Sequence, residues 1–524
     1  MDHLPEALYR AVDTRAADQR AASEHGLAGG VLMERAGRAA FALLRERFPR
    51  ARRIAVVCGP GNNGGDGYVV ARLAKEAGLT VEVLCPVDTA GLKGNAAVAR
   101  DAWHKASGTV QPVAGTSLQV CDVIIDALFG TGLERPLEGA WLVAIEAMNA
   151  SGKPIFALDI PSGLHADTGR VLGATARAAL TLSFIGLKAG LFTGQGREHS
   201  GLILFDKLGV PDAVFTDVTP LARRITQRNL HGLLTPRLRH AHKGDVGRVL
   251  VVGGQPGMPG AVRLTGEAAY RAGAGLVVLA THSAHAASIG AACPELITYG
   301  VNDTKDIPAL LAGARALAIG PGIGQGEWGR GLWQAVLAVD KPLVVDADAL
   351  NLLAAQPMSR ADWVLTPHPG EAARLLGMSV VEIQADRFTA ARAIAHRYGG
   401  VCVLKGSGTL IATAMAGGVA EREAVPTGTN ASAVIPPSHG EPSIWLCDRG
   451  NPGMAIGGTG DVLTGAIAAL LAQGLAPIEA ARLGVWAHAS AGDRVAASGE
   501  RGNMASDLLA PLREIINEMV AHAA

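Results

Sequence analysis

No stretch of this chain stays apolar for the roughly 18 residues a membrane-spanning helix needs. The N-terminal MDHLPEALYRAVDTRAADQRAA carries charges throughout, so a soluble cytoplasmic protein is expected. Cysteine is scarce: Cys58, Cys85, Cys121, Cys293, Cys402 and Cys447 lie mostly in or beside apolar runs, and no two stand at metal-ligand spacing. They read as reduced core thiols, which excludes a cysteine-built zinc site. Charge of either sign is also in short supply. Charged residues make up 18%, and 47 Lys plus Arg balance 47 Asp plus Glu, so no net field draws the chain to nucleic acid or to an anionic membrane. A P-loop is missing too: no G-x-x-x-x-G-K-[ST] string occurs, which argues against that kind of kinase.

The chain is rich instead in glycine, with 67 residues, and in hydrophobic residues, at 49%. That mix suits buried parallel strands joined by tight turns. A length of 524 residues exceeds one ordinary core, and two α/β domains are the economical arrangement. The stretch GNPGMAIGGTGDVLTG, Gly450 to Gly465, carries the sharpest chemical signal. Gly457, Gly458, Thr459 and Gly460 run into Asp461, and VLTGAIAALLAQG then has the apolar richness of a buried helix ended by Gly474. The first N–H groups of a helix lack internal partners and sit at its positive end, so glycines that let a phosphate approach them form an anion cradle. Asp461 beside that phosphate could take a proton from a substrate hydroxyl while the N–H groups stabilise a transferring phosphoryl group. A short GGTGD string also fits a plain helix start with an acidic first turn.

In the first half, LPEALYRAVDTRAADQRAASEHG and Val31 to Phe48 read as helices. RIAVVCGPGNNGGDGYVVARLAKEAG follows as strand, glycine loop and helix, with Gly59, Gly61 and Gly64 at dinucleotide-binding spacing. The next strand, TVEVLCP, ends without the acidic residue that holds a ribose, which counts against an ordinary NAD dehydrogenase. Three later apolar runs end in polar residues: CDVIIDALFGTGL with Asp126, PIFALDIPSGL with Asp159 and Ser162, and LTLSFIGLKAGL with Lys188. Ligands bind at the carboxyl edge of a parallel sheet, so Asn62, Asn63, Asp66, Asp126, Asp159 and Ser162 are expected to converge on one small molecule. A lone Asp after a strand more often caps a loop. Two in one sheet opposite a glycine loop shift the balance.

Between GVPDAVFTDVTP and HAHKGDVG, basic residues and scattered prolines replace sheet-like runs, which reads as a connector. The boundary is placed at residues 1–224 and 225–524. GRVLVVGG, AGLVVLAT, ALAIGPG, PLVVDADAL, DWVLTPHPG and VCVLKGSGTLIA then alternate with helical stretches, implying a second, largely parallel sheet covered on both faces.

GPGNNGGDG, DALFGTGL and DIPSGL resemble, in order, the motifs of NAD(P)H-hydrate epimerases, and GNPGMAIGGTGDVLTG resembles the signature of ADP/ATP-dependent NAD(P)H-hydrate dehydratases. Across its whole length the chain is similar to the bifunctional NAD(P)H-hydrate repair enzymes. The resemblance implies an N-terminal Rossmann-like three-layer sandwich and a C-terminal ribokinase-like α/β domain. It implies repair of hydrated NADH and NADPH: the first domain interconverts the R and S epimers, and the second dehydrates the S form at the expense of ADP or ATP through a phosphorylated intermediate. By the same resemblance, Asn62, Asn63, Gly64, Gly65 and Asp66, the loop Gly130, Thr131, Gly132 and Leu133, and Asp159 contact the hydrate in the first domain. Asn63, Asp126 and Ser162 hold a potassium ion, and Asp159 is the candidate acid/base. In the second domain, Ala261, Gly322, His368 and Asp461 meet the hydrate. Lys405, Gly406, Ser407, Gly408, Thr409 and Gly460 meet the nucleotide, which arrives with Mg²⁺. KGSGT would equally fit a hairpin turn, and His368 between prolines a rigid turn. A homo-oligomer is expected, with no nucleic-acid or membrane partner.

One stretch departs from the family pattern. Ala414 to Cys447 is longer and richer in Ser, Thr, Pro and Gly than the short connection that pattern implies, and an exposed loop or extended hairpin is expected there. The rival reading is a ribokinase-like vitamin-precursor kinase fused to a non-catalytic Rossmann-like module; DIPSGL and GPGNNGGDG argue against it.

Overall fold

The computed structural model describes residues 3–113, 115–414 and 444–520. Of the stretch Ala414 to Cys447, expected as an exposed loop or extended hairpin, residues 415–443 lie outside the described residues, while Ile444–Cys447 is a strand paired antiparallel with Thr409–Thr413. The chain divides into two compact units, Met1–Arg223 and Arg224–Ala524.

In the first unit a seven-stranded, all-parallel sheet runs in the order Val110–Pro112, Thr80–Cys85, Arg53–Cys58, Val123–Ala127, Ile155–Leu158, Leu180–Phe184, Leu202–Asp206. The chain enters at Arg53–Cys58, winds outward one way, then returns to Val123–Ala127 and winds the other way. The switch point therefore falls between those two strands, where an open α/β sheet binds ligands. Sterics fix the glycines there: a Cβ on Gly59 would lie 1.7 Å from Leu128 O, and one on Gly64 would lie 2.0 Å from Gly59 O. Helix Gly29–Arg47 buries Leu32, Met33, Ala36, Gly37, Ala40, Leu43 and Leu44, the stripe that a period of 3.6 puts on one face.

The N-terminus departs from the expected helix. Ala7–Leu8 is a short strand, antiparallel to Ala222 and Arg223, and the helix begins only at Ala11. The pairing buries Leu8 completely, and such tertiary burial outweighs a weak helical preference.

In the second unit the strands are ordered Ile444–Cys447, Thr409–Thr413, Val401–Leu404, Trp363–Leu365, Leu343–Val345, Ala316–Ile319, Arg248–Val252, Leu276–Thr281, Ile297–Gly300. The pairings from Val401–Leu404 onward through this order are parallel, while Thr409–Thr413 is antiparallel to both its neighbours. VCVLKGSGTLIA is thus two strands of a hairpin with Lys405 to Gly408 as its turn, Thr409 opening the second strand. The switch point lies between Arg248–Val252 and Ala316–Ile319. Gly254 N donates to Pro321 O (3.0 Å) and Gln255 N to Gly322 O (2.7 Å), locking the two switch-point loops together.

Helix Thr459–Ala472 crosses the core with Val462 through Ala472 all buried. It passes Pro259–Arg271 so closely that a Cβ on Gly465 would lie 2.0 Å from Thr265 O. All six cysteines are free and five are buried. No helix among the described residues is long and apolar enough to cross a membrane.

Arg224 and Asp448, 1% and 5% exposed, form a buried ion pair with Nε and Nη2 at 2.9 and 2.6 Å from Oδ2. Removing one partner leaves a buried charge uncompensated. Arg224→Ala is expected to destabilise this unit by about 3–5 kcal/mol, seen as a lower denaturant midpoint. A loss under about 1 kcal/mol would mean the pair behaves as an exposed one.

Candidate active sites

At the first switch point, strand Val123–Ala127 delivers Asp126 and the turn after Ile155–Leu158 delivers Asp159 and Ser162. Asp126 and Ser162 are fully buried. Ser162 donates from N to Asp126 Oδ2 (2.8 Å) and from Oγ to Oδ1 (2.6 Å), and Ser162 Oγ accepts from Phe129 N (2.8 Å). Burial pushes the Asp126 carboxyl up to about 6, against the pull of the bonds from Ser162 and Leu128. Beside them Asn63, 7% exposed, has neither its amide oxygen nor its amide nitrogen hydrogen-bonded. A buried unpaired amide is costly unless something fills the gap.

Asp159 adopts φ +66°, a left-handed conformation uncommon for a residue with a Cβ. Its Oδ1 accepts from Phe184 N (3.1 Å) and from the buried Lys188 ammonium, which also donates to Phe184 O (2.8 Å). Oδ2 faces the other way: a Cβ on Gly130 would lie 3.5 Å from both Asp159 Oδ2 and Asn63 Cβ. Burial, then the neighbouring Asp159 and Asp18 carboxylates, raise Asp66 well above the usual carboxylate range. Asp18, on helix Ala11–His25, is itself pushed up to about 6 by burial, and its Oδ1 is buried without a hydrogen bond. One turn earlier on that helix, Arg15 donates to Thr131 O (3.3 Å).

In the second unit, helix Thr459–Ala472 starts from Gly458 at φ +93°. The left-handed turn needs glycine and aims the first N–H groups outward. Asp461 sits in that first turn, pushed up to about 7 by burial and by the Asp346 carboxylate, with Lys405 pulling the other way. Lys405 Nζ lies 2.8 Å from Asp346 Oδ1 and 3.8 Å from Glu371 Oε2. Thr464 Oγ1 donates to Asp346 Oδ2 (2.7 Å). Burial would raise Asp346, but Lys405 and the hydrogen bonds from Lys405, Thr464 and Thr366 outweigh it and hold it below the ordinary range. A Cβ on Gly460 would lie 3.4 Å from Lys405 Nζ, so the KGSGT turn and the glycine junction face each other.

At the adjoining switch point a cavity of about 440 Å³ is lined by Met258, Ala261, Gly322, Asp348, Asn351 and Glu371, among others. His368 caps helix Pro369–Leu376: its Nδ1 accepts from Gly370 N (2.9 Å), and Glu371 Oε2 accepts from His368 N (2.8 Å).

Residues 29–190 match the family described as YjeF-related protein N-terminus, and residues 249–433 and 425–514 match the family described as NAD(P)H-hydrate dehydratase. The bifunctional NAD(P)H-hydrate repair enzyme of Escherichia coli is 44% identical over 518 residues, covering 99% of this chain and 95% of that protein. The enzyme of the same name from Coxiella burnetii is 43% identical over 500 residues, covering 95% and 97%. The chain belongs to the bifunctional NAD(P)H-hydrate repair enzymes. A solved ADP/ATP-dependent NAD(P)H-hydrate dehydratase from Bacillus subtilis, co-crystallised with ATP/Mg²⁺, is 28% identical and covers 56% of this chain and 98% of its own, with a TM-score of 0.45.

Within this repair enzyme the structure gathers Asn63, Asp126, Gly130, Asp159 and Ser162 at one switch point. Ala261 and Gly322 line the cavity at the other, which Glu371 joins to His368. Lys405, Gly460 and Asp461 cluster at the glycine junction. Leu133 is part of the apolar core cluster that includes Leu137 and Leu172. Gly406 and Ser407 are exposed at the hairpin tip. The sequence reading passed over Asp18, Asp346 and Glu371. Asp346 closes the strand-like run PLVVDADAL, the same signal that marked Asp126 and Asp159. Glu371 stands three residues after His368, the spacing of a capping box.

Proposed function

We propose that the two domains divide the repair of hydrated nicotinamide nucleotides between the switch-point site of the first and the glycine junction of the second. Hydroxide is a poor leaving group. Phosphorylating the ring hydroxyl makes it a good one, and the ring nitrogen's electron pair can then expel phosphate. Asp461 takes the hydroxyl proton, and the N–H groups at the start of helix Thr459–Ala472 stabilise the transferring phosphoryl group. Lys405 and the KGSGT turn hold the nucleotide phosphates, and Ala261, Gly322 and His368 hold the hydrate. The observation that carries this reading is Asp461, raised to about 7, standing in the first turn of a glycine-opened helix beside Lys405. Mg²⁺ would come with ADP or ATP, bound by phosphate oxygens and water, and would neutralise charge on the transferring group. Among the described residues no group of three His, Cys, Asp or Glu side chains is placed to hold a metal.

In the first domain Asp159 Oδ2 is the acid/base, and Asp66, its carboxyl raised well above the usual range by burial and by the Asp159 and Asp18 carboxylates, is the proton donor that partners it. Lys188 fixes Asp159 by holding Oδ1. Potassium fits the donor set: the unpaired Asn63 Oδ1, the Asp126 carboxylate and Ser162 Oγ are hard oxygens, and the orphaned amide is otherwise unexplained. The ion would supply positive charge against the hydrate's oxygen-rich groups. Asp126→Asn keeps the shape and removes the charge. It is expected to weaken potassium activation of epimerisation at least about tenfold, read by titrating KCl at constant ionic strength. Unchanged rates when potassium is replaced by an organic cation in the unsubstituted chain would remove the potassium assignment. The protein acts on small molecules in the cytoplasm as a homo-oligomer. The test of the whole reading is to incubate it with chemically hydrated NADH, Mg²⁺ and either nucleotide, and to follow the return of reduced-nicotinamide absorbance. No return with either nucleotide refutes it.

A further inference from the structure

Dehydration has a second half, for which Asp461, already carrying the hydroxyl's proton, is not free to act as a base. Once the hydroxyl has been phosphorylated, the ring nitrogen's electron pair forms a carbon–nitrogen double bond as the carbon–oxygen bond breaks, and phosphate leaves with the bonding electrons. A proton must then be lost from the neighbouring ring carbon. Its carbon–hydrogen pair becomes the new ring double bond, and the iminium electrons return to nitrogen. We propose, resting on the dehydratase reading above, that the Glu371 carboxylate accepts that proton.

The geometry reaches this assignment by elimination. Two carboxylates line the 440 Å³ cavity that also contains Ala261 and Gly322. Asp348 is committed: its Oδ2 accepts from Gly324 N (3.1 Å), and its Oδ1 from Gln325 Nε2 (3.2 Å) and Asn351 Nδ2 (3.3 Å). It holds the glycine loop. The imidazole of His368 is committed as well. Its Nδ1 lone pair accepts from Gly370 N, so the neutral ring carries its proton on Nε2, which lies 3.4 Å from Glu371 Oε1. Burial, then the Lys405 and Arg374 charges, keep the ring from protonating in the ordinary range. Neither nitrogen is therefore a base. Glu371, 7% exposed, has Oε2 fixed by His368 N while Oε1 meets only the weaker, longer contact from His368 Nε2. Burial pushes its carboxyl up to about 7, with Lys405 pulling down and Asp346 pushing up. A carboxylate of that basicity takes a carbon-bound proton far better than an exposed one. His368, half exposed, orients it and lies on the way to solvent.

Glu371→Gln in the full chain tests the assignment. Gln preserves the acceptor that caps helix Pro369–Leu376, so folding and nucleotide affinity should hold. With hydrated NADH, ADP and Mg²⁺ under rapid quench, about one AMP per active site should form at close to the unsubstituted rate. The nicotinamide absorbance should follow at least about 100-fold more slowly, with the iminium, in exchange with the phosphorylated hydrate while phosphate stays bound, accumulating in the mass spectrum. Glu371→Asp should restore part of the slow step, and it carries the test if the Gln variant does not fold. AMP and absorbance slowed in step, or both left unchanged, would overturn the assignment. A lack of AMP from the unsubstituted chain would instead remove the dehydratase reading itself.

Discussion

Asp461→Asn is expected to lower dehydration turnover by about two to four orders of magnitude while leaving nucleotide affinity within a few-fold, because the amide fills the same space but cannot take a proton. Two further readouts separate loss of a base from general damage. The first is pH. With its carboxyl pushed up to about 7, Asp461 is increasingly protonated below that pH, so unsubstituted turnover should fall about tenfold per pH unit on the acid side. The residual rate of the variant should lose that limb.

The second is stability. A carboxyl whose folded value is raised favours the folded state's proton. Its stabilising contribution is therefore lost as pH rises from the ordinary carboxylate range towards 7, and above 7 the buried charge carries its full penalty. Asn never ionises, so at pH 8 the variant should melt no lower than the unsubstituted chain. Near-normal turnover would sink the assignment of Asp461, and a marked drop in melting temperature would attribute the loss to folding. Amide exchange within Thr459–Ala472 would show which region had loosened.

Much of this site was legible because its chemistry is local in sequence. The glycine junction, the buried helix behind it and Asp461 occupy one continuous string, so a single argument about helix N-termini finds them all. Asp126, Asp159 and Ser162 were legible for a different reason: parallel strands deliver their carboxyl-end residues to one edge whatever their separation along the chain. What stayed hidden depends on contacts between distant segments. Asp18 lies on a helix whose start is set by Ala7 and Leu8 pairing with Ala222 and Arg223, and no property of the N-terminal segment alone announces that pairing. Glu371 looks from sequence like an ordinary first-turn acid. Only burial against distant segments, helped by the Asp346 carboxylate, raises its carboxyl, while Lys405, 34 positions further on, pulls the other way. The KGSGT turn was visible both as a hairpin and as a phosphate contact, and the structure makes it a hairpin whose Lys405 faces Gly460.

Removing the first domain should split the kinetics in two. A phosphoryl-transfer site built on fixed N–H groups and one carboxylate accepts one configuration at the hydroxyl-bearing carbon, since the other turns its oxygen away from the phosphate. The truncated chain should begin at Leu221, so that Arg224 keeps its buried pair with Asp448. Given a mixture of both hydrate epimers with ADP and Mg²⁺, it should consume one quickly and the other only as fast as it interconverts unaided. The full chain should exhaust both. Asp159→Ala in the full chain should reproduce the truncation's slow phase and leave the fast phase untouched, because Asp159 and Asp461 belong to separate compact units. Lys188→Met should do the same more mildly, since it frees Asp159 Oδ1 from its ammonium but leaves the bond from Phe184 N in place. If the truncated chain exhausts both epimers at one rate, the stereochemical restriction assigned to the second site is wrong. If Asp159→Ala removes the fast phase as well, Asp159 acts on the fold or on both sites, and the division of labour fails.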